Sequence, residues 1–121
     1  MNSDTFYKIG VNIPEEHLQD LMDTVNDAID PVYPGYDRTF SYWRVTGTWR
    51  PLPGSEPYLG DIGRIEVAEE IRVEFAVREK DLRPALEAVR RVHPYEEPAM
   101  DVIPMIGWKG LITPSFRKDG R

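Results

Sequence analysis

The chain has 121 residues, 40% hydrophobic and 30% charged, a balance that favours one folded domain over a disordered chain. Its formal net charge of −6 disfavours nonspecific nucleic-acid binding, which needs a positive field. The lack of cysteine excludes disulfides and thiolate metal sites, and no apolar run approaches a membrane span.

Tyr7, Ile9, Val11 and Ile13 alternate with Lys8, Gly10 and Asn12, which predicts a strand with one buried face. Pro14 suits the first turn of a helix, and Glu15 and Glu16 favour its positive end. Leu18, Leu21, Met22, Val25 and Ile29 continue it as one apolar stripe, with His17 expected on the exposed side. Asp30-Pro31 stops the helix, and residues 31–39 read as a loop. Phe40 to Val45 is aromatic and β-branched, a second strand. Gly47 to Gly63 carries four glycines and three prolines interleaved with Trp49, Tyr58, Leu59 and Ile62, which predicts a long ordered excursion or hairpin.

Ile71, Val73, Phe75 and Val77 mark the clearest strand. Leu82, Ala85, Leu86, Val89 and Val92 mark a second helix, with Asp81 as its expected cap and His93-Pro94 as its stop. Met100 to Met105 reads as a last strand. The tail 113–121 is polar and is expected to be mobile. The order β-α-β-β-α-β predicts an α+β, ferredoxin-like sandwich: one domain over 1–121, its core spanning about 6–106. Met1 to Asp4 leads into no signal-type apolar segment, so the expected compartment is cytoplasmic.

Three segments could carry chemistry. The first is His93-Pro94-Tyr95-Glu96-Glu97. A helix C-terminus favours a protonated imidazole, and His93 with one of Glu96 and Glu97 could hold a divalent metal ion. Neighbouring strand residues face opposite ways, so both carboxylates reach one ligand only through a twist. Two ligands are too few for a tight site, and a helix stop with a local His–Glu pair is the simpler reading. The second segment offers Trp49, Arg50 and Tyr58 to stack on or clamp a planar or anionic ligand, or to cover a core edge or an interface. The third is Glu66, Glu69, Glu70 and Glu74, where the intervening Arg64 and Arg72 predict cross-strand ion pairs. Ser41, Ser55 and Ser115 have no recognisable triad partners, and no phosphate-binding glycine loop is present.

Four stretches together resemble the NIF-three-like (YqfO) family, and more narrowly its inserted PII/CutA-like domain. They are Gly47 to Pro51, Pro57 to Glu66, Glu69 to Glu74, and His93 to Asp101. The likeness runs from about Phe6 to Met105. Family members carry this insert between two halves of a larger domain with a dinuclear metal site, which supplies the ligands linked to hydrolase or cyclohydrolase activity. Two histidines and this length leave no place for those halves, so that catalytic role is not carried over. The family's glycine-rich turn after the first helix is replaced by Asp30 to Asp37.

The resemblance implies a stand-alone module that assembles with itself, as the trimeric PII and CutA proteins do; a dimer is the alternative. It implies ligand or metal sites in clefts between subunits; the expected function is a non-enzymatic module that binds a small ligand, a divalent metal ion or a protein partner there, and composition and charge speak against nucleic acid and membrane. The first candidate ligand residues are His93, Tyr95, Glu96 and Glu97; Trp49, Arg50, Tyr58 and Arg64 are the second set. The alternatives are a metal-dependent hydrolase with ligands shared between subunits, and a purely structural assembly domain.

Overall fold

Four strands form one antiparallel sheet in the computed structural model, which describes residues 5–112. Strand β1 (Phe6–Ile13) lies between β3 (Glu66–Arg78) and β4 (Met100–Met105), and β2 (Ser41–Trp49) pairs with the outer side of β3. Helices α1 (Leu18–Ala28) and α2 (Leu82–Val92) are each entered through a single 3-10 turn, Glu15–His17 and Glu79–Asp81. The order β2-β3-β1-β4 with its two crossover helices is the ferredoxin-like arrangement.

Alternation explains where the core sits. Ile9, Val11 and Ile13 of β1 share a face with Ile71, Val73, Phe75 and Val77 of β3. That face is buried against Leu21 and Val25 of α1 and Ala85, Ala88 and Val89 of α2. Each large aliphatic side chain among them contributes about 2 kcal/mol relative to an exposed position. Ala85 and Ala88 are fully buried at this contact.

The other sheet face carries Lys8, Arg72, Glu74 and Trp43, with Glu70 and Ala76 buried among them. The Arg72 guanidinium lies over Gly10, donates to both Asp101 oxygens at 2.8 and 3.0 Å, and stands 3.6 Å from Glu74. A β-carbon at position 10 would occupy the guanidinium's place, so glycine is what admits this pair. Trp43, nearly half exposed, sits opposite Arg72 on the same face.

Several boundaries differ from the sequence reading. Strand β2 extends to Trp49, so Gly47, Thr48 and Trp49 are ladder residues and the excursion is confined to residues 50–65. Strand β3 begins at Glu66, five residues before its apolar alternation, because its first residues pair with the end of β2. Asp81 is buried but does not cap α2: its carboxylate accepts the Asp30 N–H at 2.9 Å and pairs with Lys80 at 3.3 Å. It thereby fixes the loop after α1 to the start of α2. His17 is half-buried rather than exposed, with its ring 6.3 Å from that of Tyr58. A short helix α3 (Trp108–Ile112), which the apolar pattern did not foretell, follows β4. The expected mobile tail 113–121 lies outside the described residues.

Candidate functional site

Helix α2 ends where the His93 N–H donates to the Val89 carbonyl at 2.9 Å and His93 turns to an extended conformation. Its ring is buried, with only 4% exposure. Nδ1 accepts the Tyr95 N–H at 3.2 Å, which leaves the proton on Nε2, and Nε2–H donates to the Asn12 carbonyl at 2.5 Å. Both ring nitrogens are therefore spent on backbone groups of α2's exit and of β1. Burial holds the imidazole below its ordinary pKa, opposed by the Asn12 hydrogen bond. In this arrangement His93 has no lone pair to offer a metal ion.

What His93 does is aim Tyr95. The two rings meet at 4.9 Å, nearly edge-on. Arg90, in the last turn of α2, braces the same exit by donating to the carbonyls of Tyr95 and Glu96 at 3.4 and 3.5 Å. The Tyr95 ring then lies 5.6 Å from Trp49 and 5.7 Å from Tyr58. Its hydroxyl donates to the Glu70 carboxylate, and burial together with that carboxylate pushes the phenol's pKa far above its ordinary value.

The excursion is closed on itself. The Gly63 N–H donates to the Pro51 carbonyl at 2.8 Å, and the Trp49 indole N–H donates to the Leu59 carbonyl at 3.2 Å. Gly60 and Gly63 take positive φ of 103° and 83°, which a side chain at either position would oppose. The two segments are also joined directly: a Glu96 carboxylate oxygen accepts the Glu56 N–H at 2.9 Å.

Together these segments enclose an open pocket of about 410 Å³ at one end of the sheet. Trp49, Arg50 and Tyr58 line one side, Tyr95, Glu96 and Glu97 the other, and Asn12, Gly47 and Glu70 the strand ends between them. Six of the eight residues singled out from the sequence thus converge on one place. His93 stands behind the wall rather than in it. Arg64 does not line the pocket; it is exposed, in a turn where its N–H donates to the Asp61 carbonyl at 3.1 Å.

Glu70 is the residue sequence reasoning misplaced. Cross-strand ion pairing fits Glu74, which faces Lys8 and Arg72, but Glu70 is 5% exposed and pairs with no cation among the described residues. Its carboxylate folds over Gly47 and meets the Tyr95 hydroxyl. The usable signal was a glycine diagonally across the ladder, leaving room for a side chain to lie flat. Among the described residues, no group of three or more histidines and carboxylates converges as a metal site. No described helix is long and apolar enough to cross a membrane.

Comparison with known proteins gives the chain relatives. No family model matches it. A GTP cyclohydrolase 1 type 2 homolog of Staphylococcus epidermidis is 31% identical over 104 residues, covering 86% of this chain and 28% of that protein. The homolog from Halalkalibacterium halodurans is 33% identical, covering 85% and 28%. A solved Bacillus cereus protein related to NIF3 superposes with a TM-score of 0.76 at 27% identity, covering 88% of this chain and 27% of that one. The chain belongs to the NIF-three-like (YqfO) family by sequence.

It spans about 28% of the length of these NIF-three-like relatives, so their named activity is not ascribed to it. The fold reaches further than the family. CutA1 from Shewanella sp. SIB1 has a TM-score of 0.63 at 15% identity, covering 84% and 82% of the two chains. The Bacillus subtilis GlnK–ATP complex has 0.58 at 12%, with the same coverages of 84% and 82%. This NIF-three-like chain therefore has the fold of CutA and PII proteins.

Proposed function

We propose that the chain is a PII/CutA-like module that assembles with itself and holds a small ligand in the strand-end pocket. The observation that carries this is the convergence of residues 47–59 and 95–99 on one concave space, with a pocket volume in the usual range for small-molecule sites. Three aromatic rings, one guanidinium and three carboxylates meet there, a mixture suited to orienting a ligand. Metal chelation by His93 is disfavoured, because its ring nitrogens already serve the backbone.

Self-assembly is supported by what the fold leaves open. Strands β2 and β4 are both sheet edges, and Trp43 and Ile103 stand exposed on the sheet face that carries Arg72. Proteins shield such edges and faces, and pairing of copies is one means.

Calorimetric titration of the intact chain with nucleotides, amines, amino acids and zinc, manganese or copper tests the ligand role. Light scattering across protein concentrations tests assembly. The expected outcome is a multimeric mass and saturable binding of at least one class, lost on Tyr95→Ala. A single-chain mass at all concentrations sinks the assembly; no heat with any probe sinks the ligand role.

A further inference from the structure

We infer that the strand-end pocket recognises a small organic cation, an ammonium or guanidinium group carried on an apolar body. This rests on the reading of that pocket as a ligand site and names the chemistry it selects.

The walls are aromatic. Tyr95 stands between Trp49 and Tyr58, tilted 51° to one and 39° to the other, and all three line the space with ring faces set at different angles. Such faces carry negative charge density and attract an alkylated or planar cation, most strongly where water is excluded.

The inner wall holds a carboxylate without a counter-ion. Glu70 is 5% exposed, and its partner there is the neutral Tyr95 hydroxyl. No salt bridge reaches it among the described residues. A carboxylate taken out of water without a cation is costly, and a cationic ligand entering the pocket supplies the missing charge. The hydroxyl fixes the direction of the carboxylate, so the acceptor is organised before the ligand arrives.

The rim has the same sign. Glu96 and Glu97 join Glu70 on the lining, against the single guanidinium of Arg50. Three carboxylates facing one cation repel a nucleotide phosphate and draw in a positive group. The volume of about 410 Å³ is far larger than a bare metal ion needs and leaves room for an organic body against the rings.

The test uses the intact chain and probes of one shape but different charge: benzyltrimethylammonium and benzylguanidine, neutral benzyl alcohol, and anionic benzoate, with ATP alongside. Calorimetry and tryptophan fluorescence are the readouts. The cations are expected to bind and quench, and benzoate and ATP to give no signal. Glu70→Gln is expected to weaken the cations roughly tenfold. Glu97→Gln, at an exposed position, is expected to weaken them a few-fold, and carries the test should Glu70→Gln fail to fold by circular dichroism. Neutral or anionic probes binding as well as the cations would overturn the inference and leave the ligand site standing. So would cation affinity unchanged in every folded variant. Silence from all probes, whatever their charge, would remove both.

Discussion

The Glu70 carboxylate occupies the space a side chain at Gly47 would need, since a β-carbon there would overlap Oε1. The glycine on β2 and the buried acid on β3 are one device: the first makes room, the second forms the pocket's inner wall. Gly47→Ala is therefore expected to push the carboxylate away from the Tyr95 hydroxyl. Overpacking at a buried site costs about 1–3 kcal/mol, and urea unfolding should register a loss at the lower end because the displaced group is a side-chain tip. An unchanged midpoint would mean that Glu70 has another place to go.

Tyr95→Phe keeps the ring and removes the donor. The buried Glu70 carboxylate then loses its partner, which costs about 1–3 kcal/mol. The companion change Glu70→Gln should lose less, because an amide oxygen still accepts from the phenol. Equal losses in the two variants would contradict this ordering.

His93→Ala removes two hydrogen bonds and a buried ring, and the expected destabilisation is about 2–4 kcal/mol. The loss should be accompanied by weaker ligand affinity, since Tyr95 is no longer aimed. Retention of full stability would place the imidazole outside the structural role its contacts describe.

The same ring sets a pH dependence. Burial lowers the folded-state pKa of His93 below its ordinary 6.5, so the folded form resists protonation. Above about pH 6.5 both states hold the ring neutral and its contribution to stability is complete. As pH falls below that value the unfolded chain takes up the proton first, and stability declines until the lowered folded pKa is reached. Thermal melts from pH 7.5 to 5 should show this decline, and a His93→Gln variant should show less of it.

On the face that carries Arg72, Trp43→Glu should leave chain stability within about 0.5 kcal/mol, as exposed substitutions do. It should nonetheless shift the light-scattering mass toward single chains. An unaltered mass would move the assembly surface away from this face.

Period-two and helical spacing were enough to place the core, because Ile9, Val11, Val73 and Val89 are buried by the same alternation that marks them in the sequence. The pocket was legible only in halves. Trp49 and Tyr58 stood out by side-chain type, Tyr95 and Glu96 by their place after the helix, but nothing local says that the two groups meet. That depends on β2 and the entry to β4 ending at the same end of the sheet, which is a property of strand order. Glu70 was read as a surface ion pair for a related reason. Its neighbour Arg72 points along the same face but is held by Asp101, a residue on a strand twenty-nine positions away.

None of the side chains lining the pocket belongs to the buried cluster between sheet and helices. Gly47, Glu70 and Tyr95 still tie the lining to stability, whereas Trp49, Tyr58 and Glu97 stand apart from that buried cluster. A designer could exchange Trp49, Tyr58 or Glu97 to reshape the pocket, leaving the hydrophobic framework as a fixed chassis.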